Sequence, residues 1–103
     1  MRRRALLAAG MPSGGGINIT VPLDDSGYGE FTNEQIEQIT NYCLQFGESN
    51  PDGIIPDGFV LVINSIPMEL VYWLQYNGET LIQGVATGKG EFFIGRGDKY
   101  IQF

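Results

Sequence analysis

From Ile17 to Val21 apolar and polar positions alternate, with Ile17, Ile19 and Val21 on one side and Asn18 and Thr20 on the other. That period of two predicts a half-buried strand. Pro22 has no N–H to donate to a ladder and ends it or holds it at an edge. Asp24 to Gly29 reads as a loop. The pattern then changes period. Ile36, Ile39, Cys43 and Phe46 recur every three or four residues and form one apolar helical stripe. Thr32 and Gln35 are spaced as a capping box, Phe31 and Ile36 as a hydrophobic staple, and Glu34 meets the positive end of the helix dipole. The prediction is a helix from about Asn33 to Phe46, closed by Gly47 at C′.

Residues 48–58 read as an irregular loop. Phe59 to Ile63 is a continuous apolar run, the pattern of a central strand buried on both faces. Asn64 to Pro67 breaks it. Asn77-Gly78 then separates two β-prone runs, 69–76 and 79–87, and that dipeptide suits a type I′ hairpin turn. The turn sets Leu74 against Leu81, Trp73 against Ile82 and Tyr72 against Gln83. Simple alternation puts Leu70, Tyr72, Leu74, Leu81 and Val85 on one face, and Val71, Trp73 and Ile82 on the other with Gln75 and Thr80. Both faces are greasy. One helix cannot cover both, so the second face is covered by the N-terminal strand and loops or by another subunit, and Val71, Trp73 and Ile82 are expected at an oligomer interface. The tail, 91–95 and 99–103, adds one or two strands around Gly95 to Asp98. The expected fold is α+β: one helix on a mostly antiparallel sheet of four to six strands, with a flexible N-terminal arm over 1–16 and a single domain over 17–103.

The arm opens with Arg2, Arg3 and Arg4, then Ala5, Leu6, Leu7, Ala8 and Ala9, then Pro12, Ser13 and three glycines. Five apolar residues are fewer than the roughly 7 to 15 of a signal h-region. A membrane span of about 20 is further out of reach. An Arg-rich, Leu/Ala leader before a Ser-Gly-Gly tract resembles the start of small structural proteins of gut bacteriophages and prophages. That resemblance covers about the first 16 residues and implies a virion component anchored by its leader. Arg2, Arg3, Arg4, Leu6 and Leu7 are then the expected partner-docking residues.

Charge sharpens this division. Residues 11–103 hold all 12 acids against three bases, Lys89, Arg96 and Lys99, a net charge of −9. Nucleic-acid binding draws on Lys and Arg, so the body is not expected to bind a polyanion. There is no histidine and one cysteine. The usual neutral-pH base and the usual zinc ligands are therefore missing, and Cys43 belongs to the helix stripe. Residues 84–90 imitate a phosphate loop but are one residue short, with Gly90 where Ser or Thr would hold magnesium. Glu48, Asp52 and Asp57 lack the register of a calcium loop. Arg96-Gly97-Asp98 suits a β-turn, and the sequon at Asn18 falls inside a predicted strand. No cofactor, no metal and no enzymatic activity are expected.

The functional expectation is a bacteriophage virion structural protein, a tail or capsid-attached component assembled in the host bacterial cytoplasm. It would partner other virion proteins and itself as a homo-oligomer, with no nucleic acid and no membrane. The alternative is a small acidic inhibitor that mimics nucleic acid and blocks a host factor.

Overall fold

The structure is a computed structural model and describes residues 16–46 and 57–103. Its elements are β1 (Ile17–Ile19), β2 (Tyr28–Glu30), α1 (Asn33–Leu44), β3 (Leu61–Ile63), β4 (Ile66–Tyr76), β5 (Glu79–Ala86), β6 (Gly90–Gly95) and β7 (Asp98–Gln102). The strands form one sheet in the order β1-β3-β4-β5-β6-β7-β2. Only the β1–β3 pair is parallel. One helix with a mostly antiparallel sheet is the expected layout, but the sheet has seven strands rather than four to six. The strand the sequence did not predict is β2, which reads there as loop; β1 and β2 are three residues each and 8 residues apart in the chain, yet at opposite ends of the order.

That connection forces the sheet to curl. Laid flat, seven strands would hold β1 and β2 about 29 Å apart, at roughly 4.8 Å per step. The link from Thr20 to Gly27 also spends its length on a turn, in which the Asp24 N–H donates to the Tyr28 carbonyl at 2.9 Å. The chain leaving β1 packs on β2. A Cβ on Gly29 would meet the Pro22 carbonyl oxygen at 2.5 Å, so only glycine fits. On the other side of the seam, the Asn64 side chain holds Val21 at both ends. Its Oδ1 accepts from the Val21 N–H at 2.7 Å and its Nδ2 donates to the Val21 carbonyl at 2.9 Å. Val21 thus bridges the β3–β4 turn to β2.

The helix begins where predicted. The Gln35 N–H donates to Thr32 Oγ1 at 3.1 Å and the Thr32 N–H donates to Gln35 Oε1 at 3.0 Å. It ends at Leu44, two residues short of Phe46, and Gly47 lies outside the described residues. Its buried stripe is Ile39, Tyr42 and Cys43; Ile39 and Cys43 join the core on the sheet's inner face, and the Tyr42 ring packs on Phe46 and Phe59. Tyr42 adds a hydrogen bond: its hydroxyl accepts from the Val60 N–H at 2.7 Å. That bond occupies the Val60 N–H, while the Val60 carbonyl accepts from the Ile17 N–H at 3.1 Å, and β3 starts at Leu61 rather than Phe59. β3 is buried on one face only, with Leu61 and Ile63 inside and Val60 exposed.

Asn64-Ser65 is a hairpin turn rather than a break. Both residues have positive φ, 51° and 69°, the requirement of a type I′ turn. Pro67 sits inside β4 opposite Val62. The turn-closing pair is Ile63–Ile66, so its neighbour Val62–Pro67 falls on a non-hydrogen-bonded pair and no ladder bond is lost. The Asn77-Gly78 turn forms as expected, at φ 52° and 77°. Leu74–Leu81, Trp73–Ile82 and Tyr72–Gln83 pair in the predicted register.

A bulge changes the faces upstream. Leu70 pairs with Gly84 and Tyr72 with Gln83, so Val71 is an extra residue. Leu70 therefore shares the inner face with Trp73 and Ile82, against the expectation from unbroken alternation. That face also carries Met68, Ala86, Phe92, Ile94 and Ile101, all buried. Gly84 lies under the Phe92 ring, which a Cβ there would overlap. Phe92 in turn meets Phe31 edge-on, centroids 5.8 Å apart.

Candidate functional site

The burial of Trp73 and Ile82, at 2% and 0% exposure, corrects their expected role. Both are covered by their own chain and are core residues, so neither presents a surface to a second subunit. Val71 does remain at the surface, 39% exposed, because the bulge ejects it. Arg2, Arg3, Arg4, Leu6 and Leu7 lie outside the described residues, as do Glu48 and Asp52.

The free face is the opposite one. Pairing registers align its side chains in rows across the strands. One row runs Tyr72, Gln83, Phe93, Tyr100, Glu30, and the next runs Glu69, Val85, Glu91, Gln102, Tyr28. Leu74 and Leu81 begin a third row that ends at Asp98. Cross-strand pairs on one face stand close enough to pack, and here the aromatic rings do. Tyr28 and Tyr100 are near-parallel with centroids 6.0 Å apart, and Tyr100 and Phe93 continue the stack at 6.5 Å. No element of the described chain covers them, because α1 occupies the inner side.

The border of this stripe is acidic. Glu30, Glu69, Glu79, Glu91 and Asp98 all point outward and are exposed. Arg96, in the β6–β7 turn, approaches Glu79 at only 3.9 Å, and both are well exposed. Lys99 pairs with Ile94 and so belongs to the inner side of its strand. The Tyr28 hydroxyl donates to Glu30 Oε2 at 3.2 Å. Desolvation first, and then that carboxylate bond, hold the Tyr28 phenol above its ordinary pKa. A rigid row of rings edged by carboxylates can bind an apolar, basic surface.

Cys43 is buried and its thiol is pushed up to about 12 by desolvation, so the nucleophilic thiolate is suppressed. Among the described residues no three metal-binding side chains come together. Residues 84–90 form the end of β5 and its turn, where the Lys89 N–H donates to the Ala86 carbonyl at 2.8 Å. Arg96 and Gly97 form the tip of the last hairpin, both at positive φ.

Sequence reasoning missed the stripe because Tyr28 read as loop and the tail strands were not assigned faces. The signal was present in the tail. Glu91 and Phe93 alternate with Phe92 and Ile94, and the second pair is the buried one. Compared with family models, curated proteins and solved structures, the chain matches none.

Proposed function

We propose that this protein is a structural, non-catalytic component of a bacteriophage particle, which assembles with its neighbours through the outer face of its sheet and docks by its N-terminal arm. The observation that carries this reading is the outward stack of Tyr28, Tyr100 and Phe93 with Tyr72 and Val71 beside it, in which Tyr28 and Val71 are exposed and the other three half-buried. Apolar surface grouped in this way supports a protein interface. The leader over residues 1–16 supports the phage assignment. Particles purified on a density gradient should contain the chain at fixed stoichiometry by mass spectrometry. A Phe93→Ser/Tyr100→Ser variant with an unchanged near-UV dichroism spectrum should be left out of them. Absence of the wild-type chain from particles would sink the phage reading, and full incorporation of the variant would sink the role of the face.

One observation favours a second reading. Five carboxylates share the outer face, as a mimic of a nucleic-acid backbone requires. That reading expects capture of a basic host nuclease or polymerase with affinity falling steeply in salt. The stack at the centre of the face argues for the structural role, because a phosphate-backbone mimic needs charge there rather than rings.

A further inference from the structure

The face and the arm of this one chain are complementary. Arg2, Arg3 and Arg4 carry three positive charges, and Leu6 and Leu7 supply apolar bulk. The rows from β4 to β2 present Glu30, Glu69 and Glu91 around Tyr72, Phe93, Tyr100 and Tyr28. The sizes agree. Five strands span about 19 Å at roughly 4.8 Å per step, and eight residues can reach about 26 Å when extended. Guanidinium groups suit both partners, since they pair with carboxylates and stack on aromatic rings.

We propose that the outer sheet face is the docking site for residues 2–9 of a second copy of this chain. The inference rests on the assembly reading above and names the partner of that same face. An arm and a face at different places on one chain make a head-to-tail contact, which repeats into a ring or filament. Paired arginines and glutamates set the register of that contact, and the leucines cover the rings. Residues 10–16, mostly small and containing four glycines, Gly10, Gly14, Gly15 and Gly16, link the arm to the edge strand β1.

The experiment uses the full chain in sedimentation velocity runs at low and high salt. The wild-type chain should self-associate at low salt and dissociate as salt screens the charges. Arg2→Glu/Arg3→Glu/Arg4→Glu and Glu30→Lys/Glu69→Lys/Glu91→Lys should each weaken association at least about tenfold, given three exposed pairs turned repulsive. Mixing the two reversed chains makes every arm complementary to a face again, so association should return. Near-UV dichroism from Trp73 checks folding. If the lysine variant unfolds, Glu30→Gln/Glu69→Gln/Glu91→Gln replaces it and should weaken association in the same direction.

A wild-type chain that stays a single subunit at low salt overturns the proposal. So do reversals without effect, and a mixture that fails to recover, as it would if each arm lay on its own face or the face took another protein. The two readings fail separately. A chain present in particles but monomeric at low salt refutes arm docking alone. One that self-associates through its arm yet is missing from particles refutes the phage assignment alone.

Discussion

Replacing Asn64 by glycine isolates the clamp that closes the curled sheet. Glycine accepts the left-handed φ of 51° at this position. It also keeps the backbone N–H that donates to the Ile19 carbonyl at 2.9 Å. What disappears is the side-chain amide and its two bonds to Val21. Each such bond is worth about 0.5–1.5 kcal/mol net. Val21 is only 1% exposed, so its N–H and carbonyl are left without water to replace the amide, which favours the upper half of that range. Greater freedom of glycine in the unfolded chain adds about 0.5–1 kcal/mol. Asn64→Gly should therefore cost about 2–4 kcal/mol. Asn64→Ala should cost about 1–2 kcal/mol on top of the lost bonds, for a left-handed residue with a Cβ. Urea unfolding followed by Trp73 fluorescence reads both, since Trp73 passes from a buried to a solvated state. Hydrogen exchange at the Val21 amide should rise in the same variants. A glycine variant within about 0.5 kcal/mol of wild type would refute the seam, because the two bonds would then be carrying no load.

The buried Trp73 Nε1 has no hydrogen-bond partner, and an orphaned donor costs about 1–3 kcal/mol. Trp73→Phe removes the orphan together with some packing and should cost no more than about 1 kcal/mol in thermal denaturation. A loss above 3 would show that the indole N–H is satisfied. Gly84→Ala drives a Cβ into the Phe92 ring and should destabilise by about 1–3 kcal/mol. A double-mutant cycle with Phe92→Leu should recover part of that loss, and strict additivity of the two changes would count against the contact. Cys43, with its pKa raised from 9.0 to about 12, should ignore a thiol reagent at pH 8 until urea unfolds the chain. Because the folded value is the higher one, its contribution is complete below 9.0 and is lost as pH climbs toward about 12. The alkaline fall in stability should therefore be shallower in Cys43→Ala, and rapid labelling of the folded thiol would contradict the burial. Deleting Val71 removes the bulge while leaving Leu70 and Trp73 inside and Tyr72 outside, so the variant should fold. Deleting Gln83 shifts one side of the β5 ladder by a residue and should prevent folding, and equal yields of the two by circular dichroism would refute the assigned faces.

What the sequence made legible was local. The Thr32/Gln35 box and the Asn77-Gly78 turn each depend on a few neighbouring residues, and both formed with the expected bonds and register. What stayed hidden depends on residues distant in the chain. β2 is three residues long, too short for any periodicity to reveal, and it exists because β7 offers it an edge. Pro67 suggested a break because its missing N–H matters only in a hydrogen-bonded pair, and the pair type is fixed by the turn at Asn64-Ser65. Tyr42 left the helical stripe of the sequence reading because its hydroxyl looks polar, yet that group caps Val60 and lets the ring be buried.

The misplaced interface has one cause, the extra residue at Val71. In a strand of strict period two, Leu70 and Trp73 fall on opposite faces, and a ribbon greasy on both sides would need a neighbour for Trp73. The bulge puts both inside, where Gly84 and Phe92 leave room for them. Large apolar groups on the outer side then cannot be explained by the core, since Tyr72, Phe93, Tyr100 and Tyr28 all sit at outward positions of their pairs. A sheet that needed only solubility would carry polar groups there. On the proposed assembly reading the partner surface moves to the other face, and the acids that border that face favour a basic partner over a second copy of the face itself. Two such faces would bring like charges together, so any self-assembly must join this face to a different part of the chain.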